Sequence, residues 1–229
     1  MADEGRVVRD GATVRRPAGF WTPAVHALLN HLQDAGFKHA PRVVGMDGEF
    51  EIVTFVEGET PTKGEERWID EPVLTSVGAL LRRYHDAVRT FVPPEWARWQ
   101  HTSIPTTGTL VGHNDLYLGN VVFRDRDAIG LIDFDFAHPA DPLWDLAMAA
   151  WHWLPLLTRP RPAPASELPA RLRVLLEAYG VARAQRPEVV DIVTDLGGRM
   201  RRRHPAESQY DAALHDLERN RDRWLAAVR

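Results

Sequence analysis

The sequence predicts an α+β fold in two lobes: a small antiparallel β-rich lobe with one helix over residues 1–58, and a larger, mainly helical lobe over residues 59–229. Three observations predict it. Short β-type runs joined by Asp-Gly dipeptides, the strongest hairpin signal, crowd the first 60 residues. Beyond Glu57-Gly58-Glu59 the apolar residues recur mostly at helical spacing. One compact β segment, dense in Asp and Asn, interrupts the helices between residues 109 and 136.

In chain order, Val7-Val8-Arg9 and Thr13-Val14-Arg15-Arg16 flank the turn signal Asp10-Gly11. Thr22-Pro23 starts a helix, with the hydroxyl as N-cap and proline in the first helical position. Val25, Leu28, Leu29 and Leu32 form its apolar stripe and Gly36 closes it. Two strands, 41–45 and 51–56, surround Asp47-Gly48. A helix over about 75–89 places Val77, Leu80, Leu81, Tyr84 and Val88 on one face. A loop containing Pro93, Pro94 and Pro105 leads into the β segment, with strands at 109–112, 120–123 and 129–133. Asp141 caps a helix running to Trp153, and the proline-dense stretch 155–169 reads as an irregular connection. Three helices complete the chain, at about 168–179, 187–203 and 207–228, the last with Tyr210, Leu214, Leu217, Trp224 and Val228 on one stripe.

Composition narrows the chemistry. There is no cysteine among the 229 residues, which removes disulfides, zinc thiolates, iron–sulfur clusters and cysteine nucleophiles, and fits a reducing, cytoplasmic setting. No apolar run approaches the roughly 20 residues of a membrane span. The net charge of −4 argues against a general nucleic-acid binder, and Arg199 with Arg201, Arg202 and Arg203 reads as a solvated helix end. Of 28 basic residues only Lys38 and Lys63 are lysine.

The polar cluster lies at His113-Asn114-Asp115, Asn120, Asp133 and Asp135. Acidic residues directly after Val- and Ile-rich strands are costly in a dry core, so they are better placed facing a cleft, where a cation or a proton compensates them. Asp115, Asn120 and Asp133 are hard oxygen ligands or bases, the set that magnesium and phosphoryl transfer require.

The pattern His-x-Asp-x-x-x-x-Asn at 113–120, then Ile-Asp 13 residues after Asn120, then Asp-Pro-x-x-Asp-Leu-Ala from Asp141, resembles the catalytic core of the aminoglycoside phosphotransferase family. Leu81-Arg82-Arg83-Tyr84-His85 is similar to the helix that precedes the family's catalytic loop, and Phe55-Val56-Glu57-Gly58-Glu59 looks like its hinge. The resemblance spans roughly residues 40–150. It implies a bilobal protein-kinase-like fold and an ATP- and Mg²⁺-dependent transfer to a hydroxyl of a small molecule, an antibiotic or a metabolite. It further implies Asp115 as catalytic base with His113 buttressing the loop, Asn120 and Asp133 as magnesium ligands, Asp145 as a structural tie, and the backbone of Phe55 and Val56 against the adenine.

The chain departs from that family at the nucleotide lid. Gly5 and Gly11 make no phosphate-cradling loop, so the first hairpin reads as shortened. Neither lysine lies on the relevant strand, which leaves Arg15 or Arg16 as the phosphate-contacting cation. No Asp or Glu occurs between Asp10 and Asp34, so the usual ion pair with a helix glutamate cannot form, and His26 stands in that helix instead. Two other functions stay open: a catalytically weak kinase-like protein that binds a metabolite or peptide in immunity or sequestration, and a metal-dependent hydrolase using His113, Asp115 and Asp133. The last 59 residues sum to +3, which tilts the substrate away from polycationic aminoglycosides.

Overall fold

The computed structural model describes residues 7–61, 70–100, 108–154, 156 and 164–229. Lys63, Pro105 and most of the proline-dense connection lie outside the described residues. Strands β1 (Val8–Asp10), β2 (Thr13–Pro17), β3 (Val43–Asp47) and β4 (Phe50–Thr54) form one antiparallel sheet in the order β1-β2-β4-β3. Both Asp-Gly turns sit where the sequence puts them, because each needs a left-handed residue and glycine supplies it: φ is 55° at Gly11 and 60° at Gly48.

Helix α1 (Thr22–Asp34) crosses between β2 and β3 and buries Val25, Leu28, Leu29 and Leu32. Its N-cap is Trp21 and not Thr22. The Thr22 hydroxyl is turned back to accept the Gly19 N–H at 2.9 Å, which fixes the tight link from β2 into the helix. Helix α2 (Glu71–Val88) begins earlier than its apolar stripe suggests, because Asp70 caps it by accepting the Val73 N–H and Pro72 occupies the first turn.

Two small ribbons carry the polar cluster. Strand β6 (Val121–Arg124) pairs with β7 (Asp127–Leu131), and β5 (Leu110–Gly112) pairs with β8 (His138–Ala140), a strand the sequence reading lacks. Helix α3 (Pro142–Trp153) follows, capped by Asp141, whose carboxylate accepts the Leu143 N–H at 2.8 Å. Helices α4 (Leu168–Tyr179) and α5 (Arg186–Arg203) match expectation, and α4 ends at Gly180 with φ 87°. The final helix is two helices, α6 (Ser208–Arg219) and α7 (Arg221–Val228), broken at Asn220.

A single core runs from Leu28 and Leu32 of α1, through Leu80, Leu81 and Tyr84 of α2, to Trp224 and Val228 of α7. Trp151 and Trp153 are fully buried within it, as core residues. Side chains of this size contribute about 1.5–3 kcal/mol each on burial. After β4 the chain reaches Gly58, where a Cβ would lie 2.4 Å from the Phe123 carbonyl oxygen of β6. Only glycine permits that approach, and Glu59 exchanges both backbone hydrogen bonds with Phe123 beside it.

Candidate active site

Asp145 in the first turn of α3 organises the loop that leaves β5. It is fully buried, at 0% exposure, and accepts the backbone N–H of His113 on one oxygen (2.8 Å) and that of Asn114 on the other (2.8 Å). His85 of α2 donates from Nε2 to the same carboxylate at 2.9 Å, and its Nδ1 meets the Tyr179 hydroxyl at 2.6 Å. Burial alone raises the pKa of such a carboxyl. The His85 hydrogen bond and charge, His113 and the Asn114 N–H overturn this and hold it below the ordinary value of 3.8.

With its backbone fixed, the loop turns at Asn114, a left-handed residue at φ 59°. The Asn114 amide stitches the turn down by donating to the carbonyls of Gly112 and His138. Asp115 then comes to the surface of the loop, and one 3-10 turn, Leu118–Asn120, brings Asn120 back to it. The Asn120 Nδ2 donates to the Asp115 carboxylate and carbonyl, both at 2.9 Å, which leaves the Asn120 Oδ1 as the oxygen available to a hard cation. Burial, with help from Asp133, raises the Asp115 pKa above 3.8 despite the opposing charge of His113 and the Asn120 hydrogen bond. His113 is itself buried and donates from Nε2 to the Ile132 carbonyl (3.0 Å), tying this loop to the segment that carries Asp133. Asp133 follows β7 in a left-handed conformation, φ 62° and ψ 70°, and is 45% exposed. A non-glycine residue in that region costs about 1–3 kcal/mol, a strain that clusters at functional sites.

The two candidate arginines separate cleanly. Successive strand residues face opposite sides, and Arg15 lies outside the cluster, stacked over Phe50 and paired with Asp47 at 2.9 Å. Arg16 turns inward and meets three carboxylates: Glu51 (2.8 Å), Asp133 (2.9 Å) and Asp135 (2.6 Å). Burial opposes its charge, but Asp135, Glu51 and Asp133 prevail and raise its pKa above the ordinary arginine value. Burial likewise raises the Asp135 pKa, moderated by Arg16 and by the Trp21 side chain that hydrogen-bonds it. Glu51, opposite Arg16 in the β2–β4 register, is a site residue the sequence reading missed. Its signal was the strand period: Glu51 and Val53 are the two buried positions of β4, so a charge had been placed on the inward face.

Between the sheet and these loops lies a cavity of about 350 Å³. Phe55, Val56 and Val53 line one part, while Arg16, Asn120 and Asp133 converge in another. An apolar slot leading to a cation and hard oxygens fits a nucleotide whose phosphates carry magnesium. A wider depression of about 430 Å³, lined by Arg201, Asp211 and His215, contains none of these residues.

Beside the loop, His152 of α3 sits edge-on to Tyr117, with ring centroids 5.5 Å apart, and burial lowers its pKa to about 4. The unfolded chain therefore binds this proton below pH 6.5 while the folded chain resists it, so stability falls as pH drops from 6.5 toward 4. His152→Phe is expected to flatten this part of the stability–pH curve measured by urea unfolding. An unchanged slope would refute the assignment.

Residues 95–184 match the model of the phosphotransferase enzyme family. The trifolitoxin immunity protein of Rhizobium leguminosarum bv. trifolii is 35% identical over 196 residues, covering 81% of this chain and 74% of that protein. Among solved structures, an amicoumacin kinase in complex with AMP-PNP, Ca²⁺ and Ami superposes with a TM-score of 0.69 at 14% identity, covering 96% of this chain and 86% of that one. A choline/ethanolamine kinase family protein from Mesorhizobium loti gives 0.61 at 16% identity (98% and 89% covered). The GDP complex of aminoglycoside 2'-phosphotransferase-IIIa gives 0.59 at 14% identity (97% and 91% covered). Among the described residues no helix is long and apolar enough to cross a membrane. With the sequence relative covering most of both chains and the kinase fold present throughout, the chain belongs to the phosphotransferase enzyme family.

Proposed function

We propose that the protein is an ATP-dependent phosphotransferase that moves the γ-phosphoryl group to a hydroxyl of a small molecule, an antibiotic or a metabolite. The observation that carries this reading is the meeting of Asn120, Asp133 and Arg16 at one end of an apolar cavity, with Asp115 hydrogen-bonded to Asn120 beside them. In this reading residues 55–58 are the hinge between a small lobe and the helical lobe, and the backbone of Phe55 and Val56 holds the base. Asn120 Oδ1 and the Asp133 carboxylate hold Mg²⁺, which supplies charge neutralisation on the phosphates when bound. Arg16 contacts the phosphates. Asp115 orients the acceptor hydroxyl and takes its proton as the phosphoryl group departs, and His113 keeps the loop in register through the Ile132 carbonyl.

A thermal-shift titration tests this directly. At 100 times its dissociation constant a ligand adds about 2.7 kcal/mol of stability, so millimolar ATP with Mg²⁺ is expected to raise the melting temperature, and Asp133→Asn to weaken that rise. No stabilisation by ATP and Mg²⁺ together would sink the kinase reading.

A second reading, a kinase-like protein whose cleft binds a toxin or metabolite without transfer, is favoured by the immunity function named for the 35%-identical relative. The ion pair between Arg16 and Asp133 points the same way, since it sets a cation against a proposed metal ligand. A screen of hydroxylated antibiotics, metabolites and peptides with labelled ATP separates the two: label transferred to the ligand supports the enzyme, and binding without transfer supports sequestration. The hydrolase reading is disfavoured because the described residues hold no group of three or more His, Asp or Glu side chains arranged to take a metal ion.

A further inference from the structure

We infer that His26 is a positioning residue that aims Arg16 into the cleft through Glu51, a relay taking the place of a helix glutamate. The inference rests on the reading of Arg16 as a phosphate contact. Helix α1 has no carboxylate between Thr22 and Gln33, yet the inward arginine of β2 is held by one. That carboxylate comes from the neighbouring strand. Glu51 Oε1 accepts from Arg16 Nε at 2.8 Å, and Oε2 accepts from His26 Nε2 of α1, also at 2.8 Å. Glu51 is 1% exposed, and among the described residues its two oxygens are met by the arginine and the imidazole.

The physical consequence is directional. A buried carboxylate held on one oxygen alone is free to rotate about its last torsion, and its unpaired oxygen is costly. With both oxygens engaged the carboxylate plane is fixed, and Arg16 Nε is fixed with it. The remaining guanidinium nitrogens, Nη1 and Nη2, then point at Asp133 and Asp135 on the far side of the cleft. The position of α1 is thereby coupled to the cation across two strands of the sheet by a chain of His26, Glu51 and Arg16.

The test uses the full chain with AMP-PNP and Mg²⁺ in titration calorimetry, together with the Arg16 Nε–H signal in nucleotide-free protein by nitrogen-15 NMR. His26→Ala is expected to weaken AMP-PNP binding about tenfold, the loss of roughly one charge-assisted hydrogen bond. His26→Gln, which keeps a donor at the same atom position, is expected to restore it. In an Arg16→Ala background His26→Ala should add no further loss, because its effect passes through the arginine. A merely structural histidine would weaken binding equally in both backgrounds, and that additivity overturns the relay, as does wild-type affinity in His26→Ala. Should His26→Ala not fold, His26→Leu fills the ring's volume without a donor and replaces it. The NMR arm is independent of nucleotide: a protected Arg16 Nε–H is expected in the wild type and in His26→Gln, and exchange-broadened in His26→Ala. Its persistence in His26→Ala overturns the relay, whereas a protein that binds no AMP-PNP but shows this NMR pattern retains the relay and loses the kinase reading.

Discussion

Asp115→Asn is expected to lower turnover by about 10²- to 10⁴-fold, the range a general base contributes, with AMP-PNP affinity nearly unchanged. The substitution is close to isosteric and keeps an oxygen for the Asn120 amide, whose hydrogen bond to the Asp115 side chain is 2.9 Å. The loop is held from below by Asp145 and His113, neither of which touches the Asp115 carboxylate in the hydrogen-bond network. What changes is the capacity to accept a proton. The wild-type pH profile carries a second signature. Burial and the neighbouring Asp133 raise the Asp115 pKa above 3.8, so the rate is expected to climb with pH along an acid limb displaced upward from an ordinary carboxylate. Both outcomes are read from kcat and KM across pH, with AMP-PNP titrations for binding. If Asp115→Asn instead loses nucleotide affinity while Asp133→Asn keeps it, base and metal ligand have been exchanged in this assignment.

The placement of those two carboxylates was legible because it is set by local spacing. Asp115 and Asn120 belong to one loop, and Asp133 follows a strand that the Ile129–Ile132 run announces. The hairpins were legible for a similar reason: an Asp-Gly turn is decided by the φ of one residue, and no tertiary contact overrides it. What escaped depends on partners distant in sequence. Strand β8 contains Pro139 and only three residues, and it exists because β5, 28 residues earlier, lies alongside. The break at Asn220 was hidden because Tyr210, Leu214, Leu217 and Trp224 keep one face through it, and periodicity cannot register an interruption that preserves the stripe. The ion pair on Arg16 was sought on the helix and formed across the sheet instead. Residue 51 sits 35 positions from residue 16, and only the β2–β4 register sets them opposite. That register also chooses between Arg15 and Arg16, which composition and spacing leave equivalent.

Asp145→Ala is expected to destabilise the fold by about 3–5 kcal/mol, the cost of breaking a buried charged network by removing one partner. The carboxylate accepts from two backbone N–H groups and from His85, all inside the protein, so its removal strands three donors where water does not replace it. Against a total stability of about 5–15 kcal/mol for a typical domain this is a large fraction, and it should appear as a lower urea midpoint with an unchanged m-value. Asp145→Asn keeps one accepting oxygen and should cost less. Tyr179→Phe removes only the outermost link, the hydroxyl on His85, and is expected to cost about 1 kcal/mol. The pH dependence fixes the sign independently. Because the folded pKa of Asp145 lies below 3.8, its contribution is present above that value and is lost as pH falls through the folded pKa. The wild type should therefore lose stability in strong acid more steeply than Asp145→Ala, and the two urea midpoints should converge as pH is lowered. Parallel curves, or a destabilisation under about 1 kcal/mol at neutral pH, would show that the loop carrying Asp115 is held by its packing alone and that the His85–Asp145 chain beneath it is incidental.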